Sequence, residues 1–183
     1  ETSALFFAAP KIEKNTDGTQ TITYTLASAN GQSLTHQYTI KKSDYMIDWN
    51  ISLNGADKLL TQSSLNLHWT VQMHQEQLSR TYETQQMTLV YSTKDGYDYN
   101  TAISGTTKDF DQPVQWFGFK QQFFNTTLIA KNNFTSGHAQ MTIFADTVNQ
   151  LTTNVASLKV QLPAAIQASV ALQLYYGPND YPL

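Results

Sequence analysis

Alternation with a period of two runs through most of this chain. Ile22, Tyr24 and Leu26 interleave with Thr21, Thr23 and Thr25. Ile47, Trp49, Ile51 and Leu53 interleave with Asp48, Asn50 and Ser52. Leu65, Leu67, Trp69, Val71 and Met73 interleave with Asn66, His68, Thr70, Gln72 and His74. Met87, Leu89 and Tyr91 repeat the pattern, as do Met141, Ile143 and Ala145. Successive side chains of a strand point to opposite faces, so each stretch presents one apolar and one polar face. Threonine and aromatic residues suit a pleated, half-buried surface. Half-buried antiparallel strands are the expectation.

Turn signals separate these stretches. Asp17-Gly18, Asn30-Gly31, Asn54-Gly55, Asp95-Gly96 and Ser104-Gly105 all fall between them. An Asx-Gly pair supplies the positive φ that tight hairpins need. The first two pairs bracket residues 19–29, which predicts a meander. Many short strands with regular turns predict two packed antiparallel sheets, an all-β fold. Helical spacing is scarce. Leu151, Val155 and Leu158 predict a short helix within residues 148–158, and residues 164–168 after Pro163 a second one. With 183 residues and no internal repeat or linker, residues 1–183 are expected to form one domain.

Only 14% of residues are charged, against about 25% in an average chain. Thr, Gln and Asn stand in their place. Aromatics at 12% exclude a disordered chain, and a net charge of −3 gives no footprint for nucleic acid. The absence of cysteine removes disulfides, thiolate metal sites and cysteine nucleophiles. No apolar run is long enough to span a bilayer, and no signal-peptide pattern occurs. The chain opens at Glu1 rather than Met and stops abruptly at Leu183, so the expectation is a chain either processed or cut from a longer protein.

The residues offer little catalytic material. His68 and His74 share one face of a strand but stand about 20 Å apart, too far for one metal ion. Asp95, Asp98, Asp109 and Asp111 cluster in sequence, yet their spacing does not match a calcium loop, and a polar loop with Asx turns is the expectation. No nucleophile elbow or phosphate loop occurs. Residues 116–124, Trp-Phe-Gly-Phe-Lys-Gln-Gln-Phe-Phe, form the densest aromatic stretch. A core strand, with Gly118 where another backbone approaches closely, is the expectation. A stacking platform for sugars is the alternative. No catalytic, cofactor or metal residues are assigned.

Three segments in order resemble a known family. Residues 40–49 (Ile-Lys-Lys-Ser-Asp-Tyr-Met-Ile-Asp-Trp) hold Asp44 and Tyr45. Residues 116–124 hold Trp116, Gly118, Gln121, Phe123 and Phe124, and are followed by Leu128-Ile129-Ala130. Residues 172–178 (Leu-Gln-Leu-Tyr-Tyr-Gly-Pro) hold Tyr175, Gly177 and Pro178. Together they resemble the large periplasmic domain of the YidC family of bacterial membrane protein insertases. There a basic-basic-(Gly/Ser)-Asp-Tyr sequence opens a long strand. A Trp-containing strand runs into Gln-(Lys/Gln)-(Tyr/Phe)-Phe, and a Tyr/Trp-x-Gly-Pro sequence closes the last strand. Ser43 stands where Gly is frequent in that family.

The resemblance implies a two-layer β-supersandwich of galactose-mutarotase-like topology, with at most one or two short helices. It also implies a non-catalytic role without cofactors, in the periplasm of a Gram-negative bacterium, within an inner-membrane protein. The implied partners are the Sec translocon with its accessory subunits, and nascent inner-membrane proteins. The domain itself is expected to be soluble and monomeric, and its ten motif residues structural. Fold does not confer activity, so no mutarotase chemistry is expected. A carbohydrate-binding domain is the alternative reading.

Overall fold

The computed structural model describes residues 2–101, 105–145 and 149–179. Four strands open the fold: β1 (Lys11–Lys14), β2 (Gln20–Ala27), β3 (Ser33–Ile40) and β4 (Met46–Asn54). They form the expected meander, each pairing antiparallel with the next. A helical turn, α1 (Ala56–Leu59), then leads to β5 (Ser64–His74) and to α2 (Arg80–Gln85). The remaining strands are β6 (Thr88–Thr93), β7 (Gly96–Thr101), β8 (Thr106–Phe110), β9 (Val114–Lys120), β10 (Phe124–Phe134), β11 (Ser136–Ile143), β12 (Gln150–Gln161) and β13 (Gln167–Pro178).

The strands form two antiparallel sheets. One has nine strands in the order β1-β2-β3-β4-β13-β10-β9-β6-β7, the other four in the order β5-β12-β11-β8. The glycines of all five turn pairs have positive φ, as hairpin chemistry requires, although Asn54-Gly55 leads into α1 and Ser104 lies outside the described residues. Apolar alternation fills the space between the sheets. Phe117, Phe119, Leu128, Phe134, Met141 and Leu158 are fully buried there. Phe117 stands at the centre of an aromatic knot, with Phe119 at 4.9 Å, Phe110 at 5.6 Å and Trp69 at 6.3 Å between ring centroids, all edge-to-face.

Both expected helices are corrected. Residues 150–158 belong to β12, and Val148 lies outside the described residues. The inward positions of β12 are Thr152, Asn154, Ala156, Leu158 and Val160, all buried. Two of them are polar, which hid the alternation and left Leu151, Val155 and Leu158 as a false helical stripe. Asn154 donates to Val71 O at 3.3 Å and to Thr152 Oγ1 at 2.9 Å, which lets the amide sit inside. Residues 164–166 are loop, and β13 begins at Gln167. The helices that do form, α1 and α2, lie elsewhere. Among the described residues, no helix is long and apolar enough to cross a membrane.

Candidate functional site

The three family-like segments, far apart in sequence, meet at one corner of the nine-stranded sheet. Ser43 has φ 58, in the left-handed region that glycine adopts most easily. Asp44 Oδ1 then accepts from Met46 N at 2.9 Å and starts β4. Tyr45 O accepts from Tyr176 N at 3.0 Å, and the Tyr45 ring meets the Tyr175 ring edge-on at 6.2 Å. Gly177 lies in the angle between these rings. A Cβ there would stand 2.6 Å from Tyr175 Oη and 2.8 Å from Tyr45 Cγ, so no side chain fits. Tyr175 Oη donates to Pro178 O at 2.8 Å.

Asn179, which the sequence did not single out, ties this corner to the β9–β10 hairpin. Its N donates to Phe123 O at 2.6 Å, and its Nδ2 to Gln121 O at 2.8 Å and Gln122 O at 2.9 Å. Its Oδ1 accepts from Asn125 Nδ2 at 2.9 Å. Gln121 Nε2 donates to His74 O at 3.1 Å and to Glu83 Oε1 at 3.5 Å. Glu83 is a buried carboxylate on α2, and it also accepts from the N–H groups of Glu76 and Gln77, each at 3.1 Å. No local motif marks it.

The aromatic stretch divides between core and surface. Phe117 and Phe119 are buried, while Trp116 faces outward against Tyr97 at 5.8 Å, and Tyr97 stacks on Tyr99. Gly118 faces β10 so closely that a Cβ would stand 2.4 Å from Thr127 Oγ1 and 3.0 Å from Thr126 O. Phe123 and Phe124 at the hairpin end are 50% and 53% exposed.

The four aspartates do not form one polar loop. Asp98 lies on β7 and Asp109 on β8, both at exposed strand positions where the carboxylate stays in water. Together with Asp95 and Asp111 they line an open cavity of about 380 Å3. Hydrogen bonds from Tyr91 Oη and from Tyr99 N, both 2.8 Å, hold the Asp98 carboxyl below the usual range. His138 Nδ1 meets Asp109 Oδ1 at 2.7 Å. Among the described residues, no three His, Asp or Glu are grouped to hold a metal ion.

An apolar opening follows from the unequal widths of the sheets. Beyond β5 the small sheet ends, but the inner faces of β2 and β3 continue. Leu26, Leu34 and Leu53 together with Leu59, Leu60 and Leu65 line an apolar cavity of about 420 Å3 there. Next to it, Phe7, Tyr24, His36 and Tyr38 line a second one of about 280 Å3. Trp49 sits between the rings of His36 and Tyr38, at 5.7 and 5.6 Å, and donates its indole N–H to His36 Nδ1 at 3.1 Å. The two cavities meet at Thr2 and together make a trough, whose aromatic floor of His36, Tyr38 and Trp49 is only half-buried.

Burial lowers the pKa of His36. An imidazole that accepts through Nδ1 cannot keep that bond when protonated. A folded pKa below the unfolded value means that the unfolded chain binds the proton first. The His36 contribution is therefore full above the ordinary histidine value of about 6.5 and is lost as pH falls through the folded pKa. Urea midpoints measured across that window should fall on acidification, and His36→Gln should flatten the decline. An unchanged slope in His36→Gln would assign the effect to other groups.

The sequence profile of the YidC periplasmic domain matches residues 1–183. Three curated relatives carry the name membrane protein insertase YidC. The one from Cytophaga hutchinsonii is 26% identical, covering 98% of this chain and 31% of the relative. That from Parabacteroides distasonis is 28% identical, covering 86% and 25%. That from Geotalea daltonii is 27% identical, covering 97% and 33%. The chain thus spans no more than about a third of these relatives. Among solved structures, a putative aldose 1-epimerase from Escherichia coli has a TM-score of 0.48 at 7% identity, covering 93% of this chain and 69% of that one. An alpha-galactosidase from Lactobacillus brevis has 0.47 at 10%, covering 92% and 24%. Similarity of this degree bears on neither activity nor substrate. The profile match over the whole length, joined to the corner built by the three motifs, decides the family: the chain belongs to the YidC periplasmic domain family.

Proposed function

We propose that this chain is a single, non-catalytic recognition domain of an inner-membrane insertase, standing in the periplasm of a Gram-negative bacterium. It meets emerging membrane proteins or components of the Sec translocon by surface contact. The observation that carries this reading is the trough, an apolar surface left open between sheets of unequal width. A photo-crosslinking residue at Leu34 in the full-length insertase tests it. Adducts with nascent inner-membrane proteins or Sec subunits are expected. Adducts no more abundant than from a probe at exposed Gln140, on the outer face of β11, would end the proposal.

In this reading the motif residues are structural: they lock β13 to β4 and to the β9–β10 hairpin. Removing the hydroxyl that holds Pro178 O, in Tyr175→Phe, should cost about 1 kcal/mol and leave crosslinking intact. Thermal melts check the first part and the Leu34 probe the second.

One observation favours carbohydrate binding as a second reading, the outward aromatic row of Tyr99, Tyr97 and Trp116. The neighbouring amides of Asn125 and Asn179 already bond to each other, which leaves the row with less to offer a sugar. A glycan array decides between the readings.

A further inference from the structure

We infer that the open edge of β5 takes up an extended polypeptide strand, which extends the small sheet and drops alternate side chains into the trough. This deepens the proposed recognition role and rests on it. β5 is the terminal strand of its sheet and pairs with β12 alone. Its eleven residues, Ser64–His74, include no Pro and no Lys, Arg, Asp or Glu. Those are the residues with which native edge strands block further pairing. Apart from the carbonyl of His74, which Gln121 caps, no hydrogen bond to another element closes this outer edge among the described residues.

Side-chain burial agrees with a missing neighbour. Leu65, Trp69 and Val71 point inward from β5 and pack on the core, yet they are only half-buried. The layer beneath continues past them: Leu34 on β3 and Leu65 on β5 line the same cavity. An additional strand here finds backbone partners on one side and an apolar floor on one face. That combination selects an extended peptide with alternating apolar side chains, because an acyl chain or a sugar would leave the edge N–H and C=O groups unpaired. A second copy of the domain does not fit. Pairing β5 to β5 would bring its nine-stranded sheet into the layer that β2 and β3 already fill.

The test uses the 183-residue chain and a short peptide of alternating valine and threonine, capped by lysines for solubility. Saturable binding is expected. It should weaken about tenfold or more when the peptide is N-methylated at the amides facing β5, since several hydrogen bonds are lost with the side chains kept. Hydrogen exchange should show new protection at alternate amides of β5, those not bonded to β12. Leu34→Glu should weaken binding comparably; exchange on the unaltered chain decides the matter if that variant fails to fold. Equal binding of the N-methylated peptide, absence of protection in β5, or a dimer forming through β5 would each overturn the inference. Crosslinks from Leu34 that persist alongside such a result would leave the recognition role standing and remove only the strand-addition mode.

Discussion

Phe117→Ala is expected to destabilise the domain by about 3–5 kcal/mol, the range for removing a large buried aromatic ring. Phe117 is 0% exposed, and its ring is held edge-on by Phe110, Phe119 and Trp69. Those neighbours come from both sheets: Phe119 from β9, Trp69 from β5 and Phe110 from β8. Phe117 and Phe119 sit on β9, which is hydrogen-bonded to β10 and β6 on its two sides and cannot move inward far enough to refill the space, so the cavity term stays near its full size. Denaturant unfolding monitored by circular dichroism reads the change as a lower midpoint at constant slope. A loss under about 1 kcal/mol would mean that the two sheets close over the gap and that the core is softer than its packing implies.

Glu83→Ala should cost about 3 kcal/mol through a different route. The carboxylate accepts from the N–H groups of Glu76 and Gln77, and Gln121 reaches it at 3.5 Å. Alanine leaves those two backbone donors facing a space that the carboxylate had filled. Glu83→Gln keeps one acceptor oxygen, and since the N–H groups of Glu76 and Gln77 share a single carboxylate oxygen it should lose much less. The ordering of the three proteins in a urea titration is the check. Equal losses for Ala and Gln would show that the charge matters rather than the hydrogen bonds. Hydrogen exchange in residues 75–79 should rise in the alanine variant before global unfolding.

The strands were legible because their apolar residues fall on alternate positions. Ile47, Trp49, Ile51 and Leu53 lie along β4, and Leu65 to Met73 along β5, as the alternation predicts. β12 was not legible because Thr152 and Asn154 occupy inward positions, and only the tertiary partner Val71 O makes an inward amide acceptable. The family motifs could be found in order, but not their meeting point. Asn179 joins them through contacts with residues more than fifty positions away and Glu83 through Gln121, 38 positions away, and isolated Asn and Glu residues carry no spacing signal. The trough was the least legible feature. Its residues are ordinary members of alternating strands, and what sets them apart is the number of strands in the facing sheet.

The position of β13 has a mechanical consequence. It lies between β4 and β10, antiparallel to both, and Asn179 fastens its far end to the hairpin. Traction on the chain past this point would load both hydrogen-bonded ladders along their length, so that many bonds must fail together. Peeling an outer strand such as β1 breaks them one after another. A domain pulled from this end would resist force in shear and give way first at its margins.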